Sequence, residues 1–151
     1  MYKKILVAMD GSETAYLALD EAIKIAKELG AVIRVIGVVD ELGLIPSTEF
    51  GAYGDLAESI RDSLRKDLDL ASSRAIAAGV DVDTRLLRTD IDAARIPEAI
   101  ENAAKEWPAD IIVIGTHGRR GFNHLLLGSV AEALIRLSTK PVLLIRSAGK
   151  S

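Results

Sequence analysis

The chain of 151 residues contains no cysteine. Disulfides, thiolate nucleophiles and metal sites built on cysteine are therefore excluded, which fits a reducing compartment. Long apolar runs are missing as well. The run that follows the N-terminal lysines ends at Asp10 and Gly11, too early for a signal peptide, and no stretch is long enough to span a bilayer. We expect a cytoplasmic protein.

An excess of basic residues is also absent, since the net charge is −3 and the isoelectric point is near 5.4. Nucleic acid and anionic membranes demand a broad basic field, so neither is expected as a partner. The motifs G-x-x-x-x-G-K-S/T, G-x-G-x-x-G and G-x-S-x-G are all missing, which argues against P-loop, dinucleotide and nucleophile-elbow sites. With 49% hydrophobic and 27% charged residues, the chain is expected to form one domain over residues 1–151.

Apolar runs alternate with segments of helical period along the whole chain. This pattern predicts an α/β fold in which a five-stranded parallel sheet is flanked by four helices. The strands are expected at residues 4–9, 32–39, 83–88, 111–115 and 141–146, and the helices at residues 13–29, 56–78, 97–107 and 130–137. Residues 40–55 fit no period, which leaves a lid over a site or an ordinary loop as alternatives.

A glycine-rich segment between the fourth strand and the last helix is the clearest functional signal. Gly115-Thr116-His117-Gly118 is followed, nine residues later, by Gly128-Ser129. Glycines let main-chain N–H groups approach an anion, and a helix N-terminus adds unpaired donors and a positive dipole end. Arg119 and Arg120 add charge to the same loop. The alternative is a plain turn, with Ser129 as an N-cap in a capping box with Glu132.

Two further features lie near this loop. Asp10 ends the first strand at the same sheet edge, where its carboxylate could accept hydrogen bonds from a ribose or a base. Alternatively, Asp10 or Ser12 caps the first helix, with Glu13 placed for a capping box with Asp10. The only histidines, His117 and His124, have poor spacing for a metal, which favours a solvated or phosphate-neighbouring role.

The whole set of motifs resembles the universal stress protein family. The residues that carry the resemblance are the loop Gly115-x2-Gly118-x9-Gly128-Ser129, Asp10-Gly-Ser after the first strand and Lys140-Pro-Val-Leu-Leu before the end. The spacing is similar to the ATP-binding branch of that family. The resemblance implies a single doubly wound sheet of order 3-2-1-4-5 and a homodimer through the final strand, Val142 to Ile145.

The resemblance also implies the positions of the ligand contacts. Adenine and ribose would be held by the backbone at Ala8 and Val38 and by the side chain of Asp10. Ile114 and Gly115 would line the nucleotide, and the phosphates would contact Gly118, Gly128, Ser129 and Val130. Arg119 joins these candidates because of its charge. Three departures from the family pattern are Ala8 in place of a frequent proline, Ala131 in place of a hydroxyl, and a long segment over residues 89–95.

The function expected from these residues is that of an ATP-binding, dimeric module in stress response or signalling, with or without Mg²⁺ on the phosphates. Other adenine nucleotides are compatible with the same site. Two other classes of function stay open. One is a slow ATP hydrolase, for which only His117 and His124 offer a general base near the phosphates. The other is an adaptor protein that binds no nucleotide.

Overall fold

The computed structural model describes residues 2–40, 50–89, 95–117 and 127–147, with the backbone alone described for residues 50–55. Within these ranges the chain forms a five-stranded parallel sheet of order β3-β2-β1-β4-β5 and four helices. The elements in chain order are β1 (Lys4–Ala8), α1 (Glu13–Leu29), β2 (Val32–Val39), α2 (Phe50–Ala77), β3 (Val82–Arg88), α3 (Ile96–Glu106), β4 (Ile111–Gly115), α4 (Ser129–Leu137) and β5 (Val142–Ile145).

The expected fold class is confirmed, and most of the element ends agree within a residue. The start of α2 is the exception, because the helix begins at Phe50 and not near Leu56. Gly51 and Gly54 suggested a loop, but a glycine inside a helix costs only about 1 kcal/mol and does not stop it. The expected lid or loop over 40–55 is therefore helical from Phe50 onward, and residues 41–49 lie outside the described ranges.

The sheet is covered on both faces, which explains why β1 and β4 are almost entirely apolar. On one face, α1 and α2 pack over Ile5, Val7 and Val113. On the other face, α3 and α4 pack over Leu6, Ile36, Ile112 and Ile114. The face of α1 that packs on the sheet includes Ala15, Leu19, Ala22, Ile23 and Ala26, which are all buried. Among the described residues, no helix is both long and apolar enough to cross a membrane.

The ends of α1 are set by two residues. Ser12 is the N-cap, and its Oγ accepts a hydrogen bond from the N–H of Ala15 at 3.2 Å. The capping box expected from Asp10 and Glu13 is therefore wrong, because the cap lies two residues later, where the third residue after it is Ala15 and not Glu. Gly30 closes the helix in the left-handed conformation, with φ of 67°, which glycine adopts without strain.

The turn between α4 and β5 is held by a buried carboxylate. The side chain of Glu101, on α3, is only 1% exposed, and its Oε2 accepts hydrogen bonds from the N–H and the hydroxyl of Thr139, at 3.0 and 3.1 Å. Burial raises the pKa of Glu101, but hydrogen bonds from Ser138 and Thr139 and the charge of Lys105 outweigh it and leave the pKa below its ordinary value. The carboxylate thus fixes where β5 begins.

Candidate functional site

A cleft of about 320 Å³ opens at the carboxyl ends of β1 and β4. In the order 3-2-1-4-5 this is the point where the chain reverses its direction of winding, which is where open α/β sheets bind ligands. Its lining includes every described residue among the ten candidates, namely Ala8, Asp10, Val38, Ile114, Gly115, Gly128, Ser129 and Val130. The other two, Gly118 and Arg119, lie outside the described residues.

The backbone of Val38 offers two hydrogen-bonding groups at this cleft. The ladder between β1 and β2 ends where the N–H of Met9 donates to the carbonyl of Ile36, at 2.8 Å. Beyond that point β2 continues for three residues and, among the described strands, pairs with β3 alone. The backbone groups of alternate residues point to the same side of a strand. The N–H and C=O of Val38 therefore point, like those of Ile36, to the side of β2 on which β1 lies, but at a level where β1 has already ended. One donor and one acceptor therefore stand side by side at the cleft.

Asp10 stands at the mouth of the cleft, on the turn that leads from β1 to α1. Its Oδ1 accepts a hydrogen bond from the N–H of Ser12 at 2.9 Å, and Gly11 between them has φ of 82°. This turn keeps an exposed carboxylate beside the carboxyl end of β1. Of the two caps that the sequence offered for α1, Ser12 is the one observed, while Asp10 holds the turn and lines the cleft.

Gly115 is required by packing against α1. A Cβ built on Gly115 would lie 2.7 Å from both the backbone carbonyl carbon and the Cβ of Thr14, closer than real Cβ atoms approach. The sequence suggested that this glycine leaves room for an anion. In the structure the missing side chain leaves room for the first turn of α1, which can then approach the end of β4.

The first turn of α1 also holds the beginning of the glycine-rich loop. The hydroxyl of Thr14 donates to the carbonyl of His117 at 2.5 Å, and the hydroxyl of Ser12 donates to the same carbonyl at 3.3 Å. The imidazole of His117 contacts the hydroxyl of Thr116 through Nδ1, at 3.1 Å, while its Nε2 is buried and has no hydrogen-bond partner among the described residues. His117 is only 9% exposed, so the solvated role considered for it is wrong. His124 lies outside the described residues.

The N-terminus of α4 forms another wall of the cleft. Gly128 is the N-cap of this helix, and Ser129 is its first residue. The alternative in which Ser129 caps α4 is therefore wrong, since the N–H of Glu132 donates to the carbonyl of Gly128, at 2.9 Å, and Gly128 is the cap. The N–H of Gly128 itself donates to the carbonyl of Thr116 at 2.6 Å. The N–H groups of Ser129, Val130 and Ala131 have no carbonyl four residues back within the helix.

Several residues at or beside the cleft were not anticipated from the sequence. Ile96 and Ile100 on α3 close its apolar side, Thr116 lines it and contacts His117, and Thr14, which is outside the lining, bonds to the carbonyl of His117. Helical period marks Ile96 and Ile100 as inward-facing, but it does not tell which inward positions reach a cleft. In the described part of the chain, no group of three or more His, Cys, Asp or Glu residues could hold a metal ion.

The model of the universal stress protein family matches residues 1–146. The chain belongs to the universal stress protein family. A curated relative, the universal stress protein MJ0531 of Methanocaldococcus jannaschii, is 34% identical over 150 residues, which cover 99% of this chain and 85% of the relative.

Solved structures agree with this assignment. The protein MJ0577 of Methanocaldococcus jannaschii superposes with a TM-score of 0.86 at 27% identity, over 99% of each chain. A universal stress protein from Archaeoglobus fulgidus in complex with dAMP has a TM-score of 0.66 at 28% identity, over 95% of this chain and 98% of that one. A universal stress protein in complex with cAMP has a TM-score of 0.64 at 27% identity, over 97% of this chain and 98% of that one.

Proposed function

We propose that this universal stress protein binds adenine nucleotides, ATP in particular, in the cleft between β1 and β4. Residues 1–151 would form one nucleotide-binding domain that acts as a dimeric module in stress response or signalling. The observation that carries the proposal is the donor and acceptor pair on the backbone of Val38. This pair is complementary to the hydrogen-bonding edge of adenine.

The hydrogen-bonding pattern of Val38 discriminates between purines. Adenine presents a ring nitrogen that accepts, beside an amino group that donates, so both can pair with the N–H and C=O of one residue. Guanine presents a protonated ring nitrogen beside a carbonyl oxygen, which places donor against donor and acceptor against acceptor. The apolar side chains of Ile36, Ile96 and Ile100 in the same cleft would exclude water from the base.

The wall of the cleft formed by α4 supports the assignment of the nucleotide phosphates to that end of the cleft. The first N–H groups of α4 are unpaired within the helix and lie at the positive end of its dipole, where anions are stabilised. Ser129 and Val130 line the cleft at this point. Gly118 and Arg119 stay candidates from the sequence, because the loop spacing resembles that of the ATP-binding branch. The complexes of related proteins with dAMP and cAMP support an adenine ligand.

The proposal is tested first by identifying the bound ligand and then by comparing the affinities for two nucleotides. Mass spectrometry of small molecules released from denatured, freshly purified protein should detect an adenine nucleotide. Calorimetry on nucleotide-free protein should give an affinity for ATP at least about tenfold higher than for GTP, since guanine mismatches both groups of Val38 and each mismatched polar group costs about 1–3 kcal/mol. Equal affinities for ATP and GTP would contradict the assignment of Val38, and no binding of either would contradict the function.

Asp10 should matter for the nucleoside and not for the phosphates. Replacing Asp10 with alanine should lower ATP affinity roughly ten- to a hundredfold, because a hydrogen bond to a charged group contributes about 1.5–3 kcal/mol. Binding of inorganic triphosphate, measured by calorimetry, should change little.

The matched control for this change is Asp10→Asn. Its amide oxygen can still accept the hydrogen bond from Ser12 and keep the turn, but it carries no charge. Affinity for ATP should lie between those of the wild type and the alanine variant. If Asp10→Ala instead weakened ATP and triphosphate to the same extent, Asp10 would act only through the turn.

A further inference from the structure

We propose that Ser12 is a positioning residue for the nucleoside end of the cleft: its hydroxyl fixes the backbone turn that holds the carboxylate of Asp10. This inference rests on the proposed function, because the orientation of Asp10 matters only if the cleft takes a nucleoside. Asp10 and Ser12 both line the cleft. The effect is exerted on the side chain of Asp10, so it bears on the nucleoside and not on the phosphates.

The carboxylate of Asp10 is held by the backbone of Ser12. The N–H of Ser12 donates to Oδ1 of Asp10 at 2.9 Å, which closes an Asx turn. Gly11 lies between the two residues with φ of 82°, and its own N–H contacts Sδ of Met9 at 3.3 Å. The bond to Asp10 exists only while the N–H of Ser12 points back toward the end of β1. The orientation of the carboxylate therefore depends on the backbone conformation of Ser12.

The hydroxyl of Ser12 holds that backbone conformation through two further bonds. Its Oγ accepts the N–H of Ala15 at 3.2 Å, as the N-cap of α1, and donates to the carbonyl of His117 at 3.3 Å. A hydroxyl has one donor proton and two acceptor lone pairs, so both bonds form together. The backbone of Ser12 is extended, with φ of −73° and ψ of 162°, as an N-cap requires. Ser12 thus joins the Asp10 turn to α1 and to the chain just beyond β4.

Burial separates Ser12 from the group that it positions. Ser12 and His117 are each 9% exposed, whereas Asp10 is exposed at the mouth of the cleft. Water therefore has little access to replace the hydroxyl of Ser12, while the carboxylate of Asp10 would sample several rotamers if the turn loosened. A side chain that is already restricted before the ligand arrives loses less conformational entropy on binding. The expected contribution of Ser12 to affinity is this preorganisation.

Thr14 provides a matched control on the same helix turn. Its hydroxyl donates to the same carbonyl of His117, at 2.5 Å, but takes no part in the Asx turn or in the N-cap. Thr14→Val keeps the shape of the side chain and removes that bond. It therefore loosens the contact between α1 and the end of β4 without removing the hydroxyl that holds the Asp10 turn.

The experiment is a double-mutant cycle on ATP affinity, measured by calorimetry. Ser12→Ala should lower the affinity about three- to tenfold, the effect of losing one hydrogen bond. In the Asp10→Ala background the same change should alter the affinity less than about twofold, because no carboxylate is left to position. Ser12→Gly removes the same hydroxyl at a smaller cost to the helix start, so it serves as a second variant with the same expected pattern.

Two controls separate positioning from general loosening. The factor by which Thr14→Val changes ATP affinity should be the same with and without Asp10, since Thr14 does not act through that carboxylate. The affinity of Ser12→Ala for inorganic triphosphate should stay within about twofold of the wild type, since the phosphates are assigned to the other wall.

Three results would overturn the inference. One is wild-type ATP affinity in Ser12→Ala and Ser12→Gly. Another is an equal effect of Ser12→Ala with and without Asp10, which would mean that Ser12 contacts the nucleotide itself. The third is an equal loss of affinity for ATP and triphosphate, which would show loosening of α1. In all three the wild type still binds ATP, whereas a wild type that binds no adenine nucleotide would overturn the proposed function as well.

Discussion

Replacing Gly115 with alanine should destabilise the fold by about 1–3 kcal/mol or more, the range for inserting atoms into a packed core. The new Cβ would meet the backbone and the Cβ of Thr14, both at 2.7 Å. Because part of that obstacle is main chain at the start of a helix, it cannot be removed by turning a side chain. We expect a lower midpoint in urea unfolding followed by circular dichroism, and weaker ATP binding in the fraction that stays folded.

The matched control is Gly37→Ala in β2. Gly37 is also a buried strand glycine at the carboxyl half of the sheet, and its Cβ would also come too close to a neighbour, at 2.7–2.9 Å. There, however, the neighbouring atoms belong to the side chain of Leu64, which can change its rotamer. Gly37→Ala should therefore cost less than Gly115→Ala. Equal losses of unfolding free energy in the two variants would show that the first turn of α1 shifts as readily as the leucine side chain.

Gly115 also shows how far sequence reasoning reaches in this protein. The strand before it, the edge at which it lies and its place in the cleft all follow from the apolar run 111–115 and the glycine spacing. The physical reason for the glycine does not follow, because it depends on Thr14, about 100 residues earlier in the chain. The spacing of residues along the chain shows which position is a glycine of interest. The steric reason for that glycine can be found only once the residue packed against it in the folded protein is known.

The same limit applies to hydrogen bonds between distant groups. That the N–H and C=O of Val38 have no strand partner among the described residues depends on β2 outlasting β1 by three residues, which is a property of register and not of composition. The family resemblance singled out the backbone of Val38 as a ligand contact, and the strand register gives the physical reason. Ser129 shows the limit of local rules, which offered the serine as a possible cap, whereas Gly128 is the cap and donates its N–H to the carbonyl of Thr116.

Disrupting the outer edge of β5 should convert the protein from dimer to monomer. No strand pairs with β5 on its outer side among the described residues, and its four apolar residues are all half-buried. The carbonyl of Pro141 accepts the N–H of Ile112, in β4, at 3.0 Å, and the carbonyl of Ile145 accepts the N–H of Thr116, just after β4, at 2.9 Å. By alternation, Leu144 turns its N–H outward. Such an apolar edge should pair with a second copy across a two-fold axis.

Leu144→Pro removes that outward donor, and an edge strand tolerates proline because its ladder to the neighbouring strand is kept. Leu144→Ala is the matched control, since it loses the side chain that packs against the core on the α3 and α4 face but keeps the N–H. Sedimentation velocity at micromolar concentration should find dimers for the wild type and the alanine variant, and monomers for the proline variant. A monomeric wild type would contradict the dimer. A dimeric proline variant would place the dimer contact elsewhere. The proline monomer should still bind ATP, because no residue of β5 lines the cleft.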